Sequence, residues 1–158
     1  MSDKVSVADN QQERLLSQLL PDYIVGLVDG EGYFSVTARI DKSKSYESLR
    51  VQMVFGIKLR EKDGAILERV RSFFNCGYIN RVVDIRPTFS NCLEYQVRDS
   101  VKIRDIIIPF FEKHTLQIES KRKSFEKFCI VVDMFHKKTH LQRKGFLMIK
   151  SLAKQLHQ

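Results

Sequence analysis

The apolar positions change their spacing several times along the chain, and each change marks an element. Ile24, Val25, Leu27 and Val28 cover nearly the whole circumference of a short helix. A helix that is apolar all round is buried on more than one side. Pro21 stands just ahead, where a helix tolerates proline because the first N–H groups have no intrahelical partner. Gly26 and Gly30 lie four apart, so they share a face and admit another backbone. Gly30 and Gly32 suit a left-handed helix end. The period then drops to two. Tyr33, Ser35, Thr37 and Arg39 fall on one face of a strand, and Phe34, Val36, Ala38 and Ile40 on the other. After a polar, basic turn at 41–45 the alternation resumes. Leu49, Val51, Met53, Phe55 and Ile57 form an apolar side against Arg50, Gln52, Val54, Gly56 and Lys58. The two strands make a hairpin with one apolar and one basic, polar face.

A helical spacing returns over 62–75 through Ile66, Leu67, Val70, Phe73 and Phe74, and stops at Asn75 to Gly77. A third strand is expected from about Tyr78 to Arg86, closed by Pro87. A turn over 88–91 leads to a fourth, in which Leu93, Tyr95 and Val97 alternate with Glu94, Gln96 and Arg98. A helix over about 101–113 contains Pro109, which should bend or split it. Further helices are expected over 121–136 and 141–157. Helix, two strands, helix, two strands and helices indicate an α+β layer with helices on one face of an antiparallel sheet. Residues 1–20 begin polar and turn helical around Leu15, Leu16, Leu19 and Leu20. They read as a partly helical extension that either touches a ligand or packs on the core. Residues 21–158 read as a single domain.

Charge sharpens the picture. Lys and Arg number 27 against 19 Asp and Glu, a net +8 in 158 residues, with a pI near 9.5. Such an excess points to a polyanionic partner. No apolar run is long enough to span a membrane, and the chain opens without a signal peptide's apolar stretch. Cys76, Cys92 and Cys129 are widely spaced and form no Cys-x-x-Cys pair. This argues for reduced thiols rather than a disulfide framework or a zinc site. The expectation is an intracellular protein.

The acids at 29 and 31 are out of place. They sit at the C-terminal end of a helix, where the macrodipole disfavours a carboxylate by about 0.3–1 kcal/mol. Something positive is needed beside them, and a hard divalent cation such as Mg²⁺ suits oxygen ligands. The stretch Ile24-Val25-Gly26-Leu27-Val28-Asp29-Gly30-Glu31-Gly32 resembles the motif of LAGLIDADG homing endonucleases. It has Ile24-Val25 for the usual Leu-Ala and Glu31 for the usual second Asp. The resemblance implies an αββαββα core with a four-stranded, saddle-shaped antiparallel sheet, here followed by a C-terminal helix. It also implies cleavage of a long, near-palindromic DNA duplex by divalent-metal-dependent phosphodiester hydrolysis, in the service of intron homing. The motif occurs once, so the resemblance implies a homodimer packed through Ile24, Gly26, Leu27 and Gly30.

Site residues follow from that resemblance. Glu31 is the expected metal ligand, with the Gly30 carbonyl as a second oxygen. Asp29 either shares that role or braces a helix end. Lys121 best matches the family's basic active-site residue, with Lys123 as rival. The glutamine often found near the end of the second strand is missing, and Arg60 stands in the position to replace it. The DNA-facing surface is expected to collect Arg39, Arg50, Gln52, Lys58, Tyr78, Asn80, Arg86, Gln96 and Arg98, with Lys42 and Lys44 in the hairpin loop. Arginine, glutamine and asparagine read guanine and adenine edges in the major groove, and basic loop residues hold phosphates. The alternatives are a non-cleaving binder on the same fold, either an RNA maturase or a DNA-binding regulator, and a basic interaction module without nuclease activity. His136 and His140 are four apart but lack the glutamate of a metalloprotease motif. They read as exposed histidines at a helix end.

Overall fold

A computed structural model describes residues 18–42, 46–83 and 91–156. Most of the expected N-terminal extension, Lys44, Arg86, Pro87 and the turn over 88–90 lie outside these residues. Helix α1 spans Pro21–Glu31 and runs directly into strand β1, Gly32–Lys42. Strand β2 spans Glu47–Arg60. A short 3-10 turn, Glu61–Asp63, leads into α2, Ala65–Phe74. Strands β3, Tyr78–Val82, and β4, Cys92–Val97, follow. The chain closes with α3 (Ser100–Lys102), a π turn (Ile103–Ile107), α4 (Ile108–Lys113), α5 (Glu119–His136) and α6 (Arg143–Leu156).

The sheet is antiparallel throughout, in the order β1-β2-β4-β3. Strand β2 is its spine, pairing with β1 from Glu47 to Ile57 and with β4 from Phe55 to Arg60. The period-two pattern sets which face is which. Phe34, Val36, Met53, Phe55, Ile57, Tyr95 and Val97 point one way and are buried. Helices cover that face. The Phe34 ring lies 5.3–5.8 Å from the rings of Phe55, Phe111, Phe125 and Phe128. Truncating a ring at such a centre costs about 3–5 kcal/mol. Helix α6 packs along β1, so one edge of the sheet is covered.

Two expectations need correction. The end of α1 is not left-handed: Gly32 has φ −81° and ψ 159°, extended backbone. A glycine is still required there. A Cβ would lie 2.6 Å from Val28 Cγ1 and 2.8 Å from the Val28 carbonyl oxygen. The helix therefore turns straight into the strand, with no loop between them. Left-handed geometry occurs instead at Asn75, φ 50°, which ends α2, and at Gly77, φ 81°. Near Pro109 the run is split, as expected, and the break is a change of register. Proline has no N–H to offer the carbonyl four residues back, and the Ile108 N–H reaches the Ile103 carbonyl in a π turn. The run's start is capped by Asp99, whose carboxylate accepts from the N–H groups of Val101 and Lys102 at 2.8 and 3.2 Å. Last, the third strand is shorter than expected, ending at Val82.

The three cysteines are half-buried and form no disulfide. Burial pushes Cys129 up to about 12 and raises Cys76 as well, which keeps both protonated. Among the described residues, no helix is long and apolar enough to cross a membrane.

Candidate functional site

The two misplaced acids of α1 have different fates. Asp29 is buried. Its Oδ2 accepts from the Gln117 N–H at 2.9 Å and its Oδ1 from the Ile118 N–H at 3.2 Å. Ile118 is the N-cap position of α5 and has no side-chain oxygen to offer. Asp29 thus supplies from another helix the acceptor that α5 lacks. The positive end of the α5 dipole offsets the negative end of α1. Of the alternatives for Asp29, the structure carries the brace, and the helix braced is α5.

Glu31 is exposed. It borders an open cleft of about 560 Å³ together with Lys58, Leu59, Arg60, Asp63 and Cys92. The end of β2 therefore brings two cations and a second carboxylate toward the motif acid. Lys121, on the first turn of α5, donates to the Gly32 carbonyl, immediately after Glu31. Lys123 is committed elsewhere, paired with Glu119 at 2.6 Å. Of the two lysines, Lys121 is the one in contact with the motif. Asp63 was missed by sequence reading. It lies in the polar 3-10 turn that directly follows β2, which has no periodicity to mark it, and it lines the same cleft as Glu31.

Glu31 and the carbonyls that end α1 are hard oxygen donors, the chemistry a Mg²⁺ or Ca²⁺ ion accepts. The last carbonyls of a helix lack intrahelical partners, and Gly30 is among them. The donor set fits such a cation, although no cluster of three or more His, Cys, Asp or Glu occurs among the described residues. One chain thus offers one exposed motif carboxylate, not a closed cage.

The uncovered face of the sheet carries the remaining residues. Register places Arg39 opposite Arg50, Thr37 opposite Gln52, Lys58 opposite Glu94, Asn80 opposite Glu94 and Tyr78 opposite Gln96. Arg39, Lys42, Arg50, Gln52, Lys58, Tyr78, Asn80 and Arg98 are all exposed. Arg50 and Arg39 share Asp41, at 2.7 and 3.6 Å. Lys42 pairs with Glu47 at 3.4 Å. Gln96 differs from the rest. It is buried, and its amide is engaged at both ends by Tyr33, Arg98 and Tyr78. Tyr33 and Glu94 were not expected among the site residues. Their place on this face was legible in the alternation, but selecting for positive charge passed over them.

The outer side of α1 is open. A Cβ built on Gly26 or Gly30 would meet nothing within 4 Å. Leu27 is half-buried, and Tyr23 and Leu20 are 49% and 69% exposed. Ile24 does not belong to this surface: it is fully buried in the core, because it points toward the sheet. The histidines are not a pair either. His136 Nε2 meets the Ser100 carbonyl at 3.0 Å, and its Nδ1 faces Arg104. His140 sits in a separate 3-10 turn, stacked on Phe135 with centroids 4.4 Å apart. Both are half-buried rather than exposed, and burial lowers the pKa of His140.

The chain matches the family described as LAGLIDADG endonuclease over residues 24–132. It is 38% identical over 129 residues to a Neurospora crassa protein named probable intron-encoded endonuclease 2, covering 80% of this chain and 27% of that protein. It spans about a quarter of the length of the fungal relatives it matches first. Among solved structures it is similar to the homing endonuclease I-TnaI, with a TM-score of 0.76 and 30% identity over 89% of this chain and 90% of that one. It is also similar to I-SmaMI bound to an uncleaved DNA target in the presence of calcium ions, with a TM-score of 0.74 and 31% identity, covering 86% of this chain and 44% of that one.

Proposed function

The chain belongs to the LAGLIDADG endonuclease family, and from that premise we propose that it is a site-specific endonuclease of double-stranded DNA, acting as a homodimer with a divalent cation. The observation that carries the reading is the split between the two motif acids. Asp29 is consumed by the start of α5, while Glu31 is left exposed beside Lys58, Arg60 and Asp63, with Lys121 at the next residue. A carboxylate held out among cations at the edge of a basic face is placed to act on a phosphodiester. Glu31 and the Gly30 carbonyl would hold the cation, which supplies neutralisation of phosphate charge and acidification of a nearby water.

The protein's own groups have separable roles. Lys121 offsets charge developing on the phosphate. Lys58 and Arg60 position phosphate oxygens in the cleft and order the attacking water. The exposed residues of the sheet meet base edges and phosphates in the major groove. Cutting both strands needs two such sites, and one chain carries one motif. The open Gly26–Gly30 face with Tyr23 and Leu27 is where a second copy packs, and two-fold symmetry then dictates a near-palindromic target.

The test is selection of cleaved molecules from a randomised duplex library, with Mg²⁺ and with EDTA. A long, near-palindromic site cut only with the cation is expected. Sites enriched by binding but never cut would instead favour a non-cleaving DNA-binding regulator.

A further inference from the structure

Centred on Gln96, the uncovered sheet face carries a chain of hydrogen bonds that crosses three strands. Gln96 is 5% exposed, yet it lies on the polar side of the sheet. Its Oε1 accepts from Arg98 Nε at 3.0 Å and from the Tyr78 hydroxyl at 3.4 Å. Its Nε2 donates to the Tyr33 hydroxyl at 2.7 Å. The Tyr33 hydroxyl in turn donates to Glu94 Oε1 at 2.9 Å. The direction of each bond is forced. Arginine has no acceptor, so the amide oxygen must face Arg98 and the amide nitrogen must face Tyr33. Tyr33 then has one proton left to give, and a carboxylate oxygen receives it. Donation runs one way, from Arg98 through Gln96 and Tyr33 to Glu94, with a cation at one end and an anion at the other. Such chains polarise each link.

The backbone is shaped to hold this cluster. The Tyr33 ring lies flat over Gly56, its partner in register, where a Cβ would come 2.4 Å from the ring carbon Cζ. A side chain at 56 would force the Tyr33 ring end to shift. Burial and the neighbouring Glu94 raise the Tyr33 pKa, so the hydroxyl keeps its proton.

Two charged groups are therefore oriented before any ligand arrives. Arg98 spends Nε on Gln96, which leaves its two Nη groups without a partner among the described residues. Glu94 spends Oε1 on Tyr33, which leaves Oε2 as an acceptor. Lys58 stands opposite Glu94 in register, but among the described residues no ion pair joins them. A carboxylate on a face that meets phosphates costs affinity for any duplex. A base that donates to it offsets that cost. Cytosine N4 donates in the major groove without an adjacent ring acceptor, whereas adenine sets N7 beside its donor and repels a carboxylate. The paired Nη groups fit the O6 and N7 acceptors of guanine.

We propose that Arg98 and Glu94 form a pre-oriented reading unit for a guanine and a cytosine lying in one base pair or in adjacent pairs, with Gln96 and Tyr33 as the positioning residues. This deepens the DNA-endonuclease reading above and rests on it. It also assigns a base-reading role to an acid on an otherwise basic face.

The experiment is selection by binding from a randomised duplex library in Ca²⁺, with the full chain as wild type, Arg98→Lys, Glu94→Gln and Tyr33→Phe. Wild type is expected to enrich a guanine and a cytosine within one step of each other in each half-site. Arg98→Lys keeps the charge but cannot bond Gln96 while presenting a fork, so the guanine preference falls about tenfold. Glu94→Gln keeps the bond from Tyr33 on its oxygen and turns an amine outward. The cytosine preference is then lost in favour of bases that accept. Tyr33→Phe keeps the ring over Gly56 and relaxes both preferences. In all three variants the other positions of the site keep their bases, an outcome that a merely structural role for the cluster would not produce. Variants that enrich the same bases as wild type at every position overturn the reading unit while leaving the endonuclease reading intact. A wild type that enriches no sequence at all overturns both.

Discussion

Replacing Asp29 with asparagine should cost stability, and replacing Glu31 with glutamine should not. The carboxylate of Asp29 accepts two backbone N–H groups at 2.9 and 3.2 Å, and it is 9% exposed. Asparagine has one acceptor oxygen, so one amide at the start of α5 loses its partner. A bond to a charged acceptor is worth about 1.5–3 kcal/mol. The lost charge at a helix N-terminus adds about 0.3–1 kcal/mol. The sum is about 2–4 kcal/mol. For a chain of this size each kcal/mol moves the melting temperature by about 2–4 °C, so a fall of roughly 4–16 °C is expected. Glu31 is exposed, and changes at such positions usually stay within about 0.5 kcal/mol. The assay is thermal denaturation of both variants beside wild type, followed by urea titration to convert midpoints to free energy. If Asp29→Asn melts with wild type, the brace is refuted and the acid must act at the phosphate or the cation instead.

Other outcomes follow from the same geometry. Gly32→Ala should lower stability by about 1–3 kcal/mol in urea titration, because the added Cβ is driven into Val28 backbone and side chain. A Gly26→Met protein should keep its fold but sediment as a monomer at concentrations where wild type is dimeric, since the position is open among the described residues and central to the proposed contact. Burial pushes Tyr33 up to about 12, opposed in part by the bond from Gln96. The folded chain then holds a proton that the unfolded chain releases near pH 10. Stability from this group is complete below pH 10 and falls as pH rises toward 12. Urea midpoints measured at pH 9 and pH 11 should therefore drop more steeply for wild type than for Tyr33→Phe.

Much of the fold was legible because period-two alternation is strict where one sheet face is buried. Phe34 to Ile40 and Leu49 to Ile57 declared the hairpin and its faces without ambiguity. The motif helix was equally plain, and so was the likeness of Asp29 and Glu31 to catalytic acids. What separated those two acids was tertiary. Nothing local says that Ile118 leaves α5 uncapped or that the chain returns to Asp29 eighty-eight residues on. Ile24 was placed on the contact face because an all-apolar helix offers no contrast between its sides. The register change before Pro109 was hidden because a π turn carries no distinct hydrophobic period. Glu94 and Tyr33 are visible on the right face, but neither carries the positive charge that marks a DNA-facing surface, and the bond chain that links them to Arg98 forms only when the strands come together.

The most direct measurement compares wild type with Glu31→Gln on one duplex. The site enriched by wild type is placed in a defined fragment, and binding and cleavage are followed together in Ca²⁺ and in Mg²⁺. The expected result is equal binding by both proteins within about threefold, cutting of both strands by wild type in Mg²⁺, and no cutting by Glu31→Gln. Cleavage by Glu31→Gln at the wild-type rate would contradict the assignment of Glu31 as the catalytic acid.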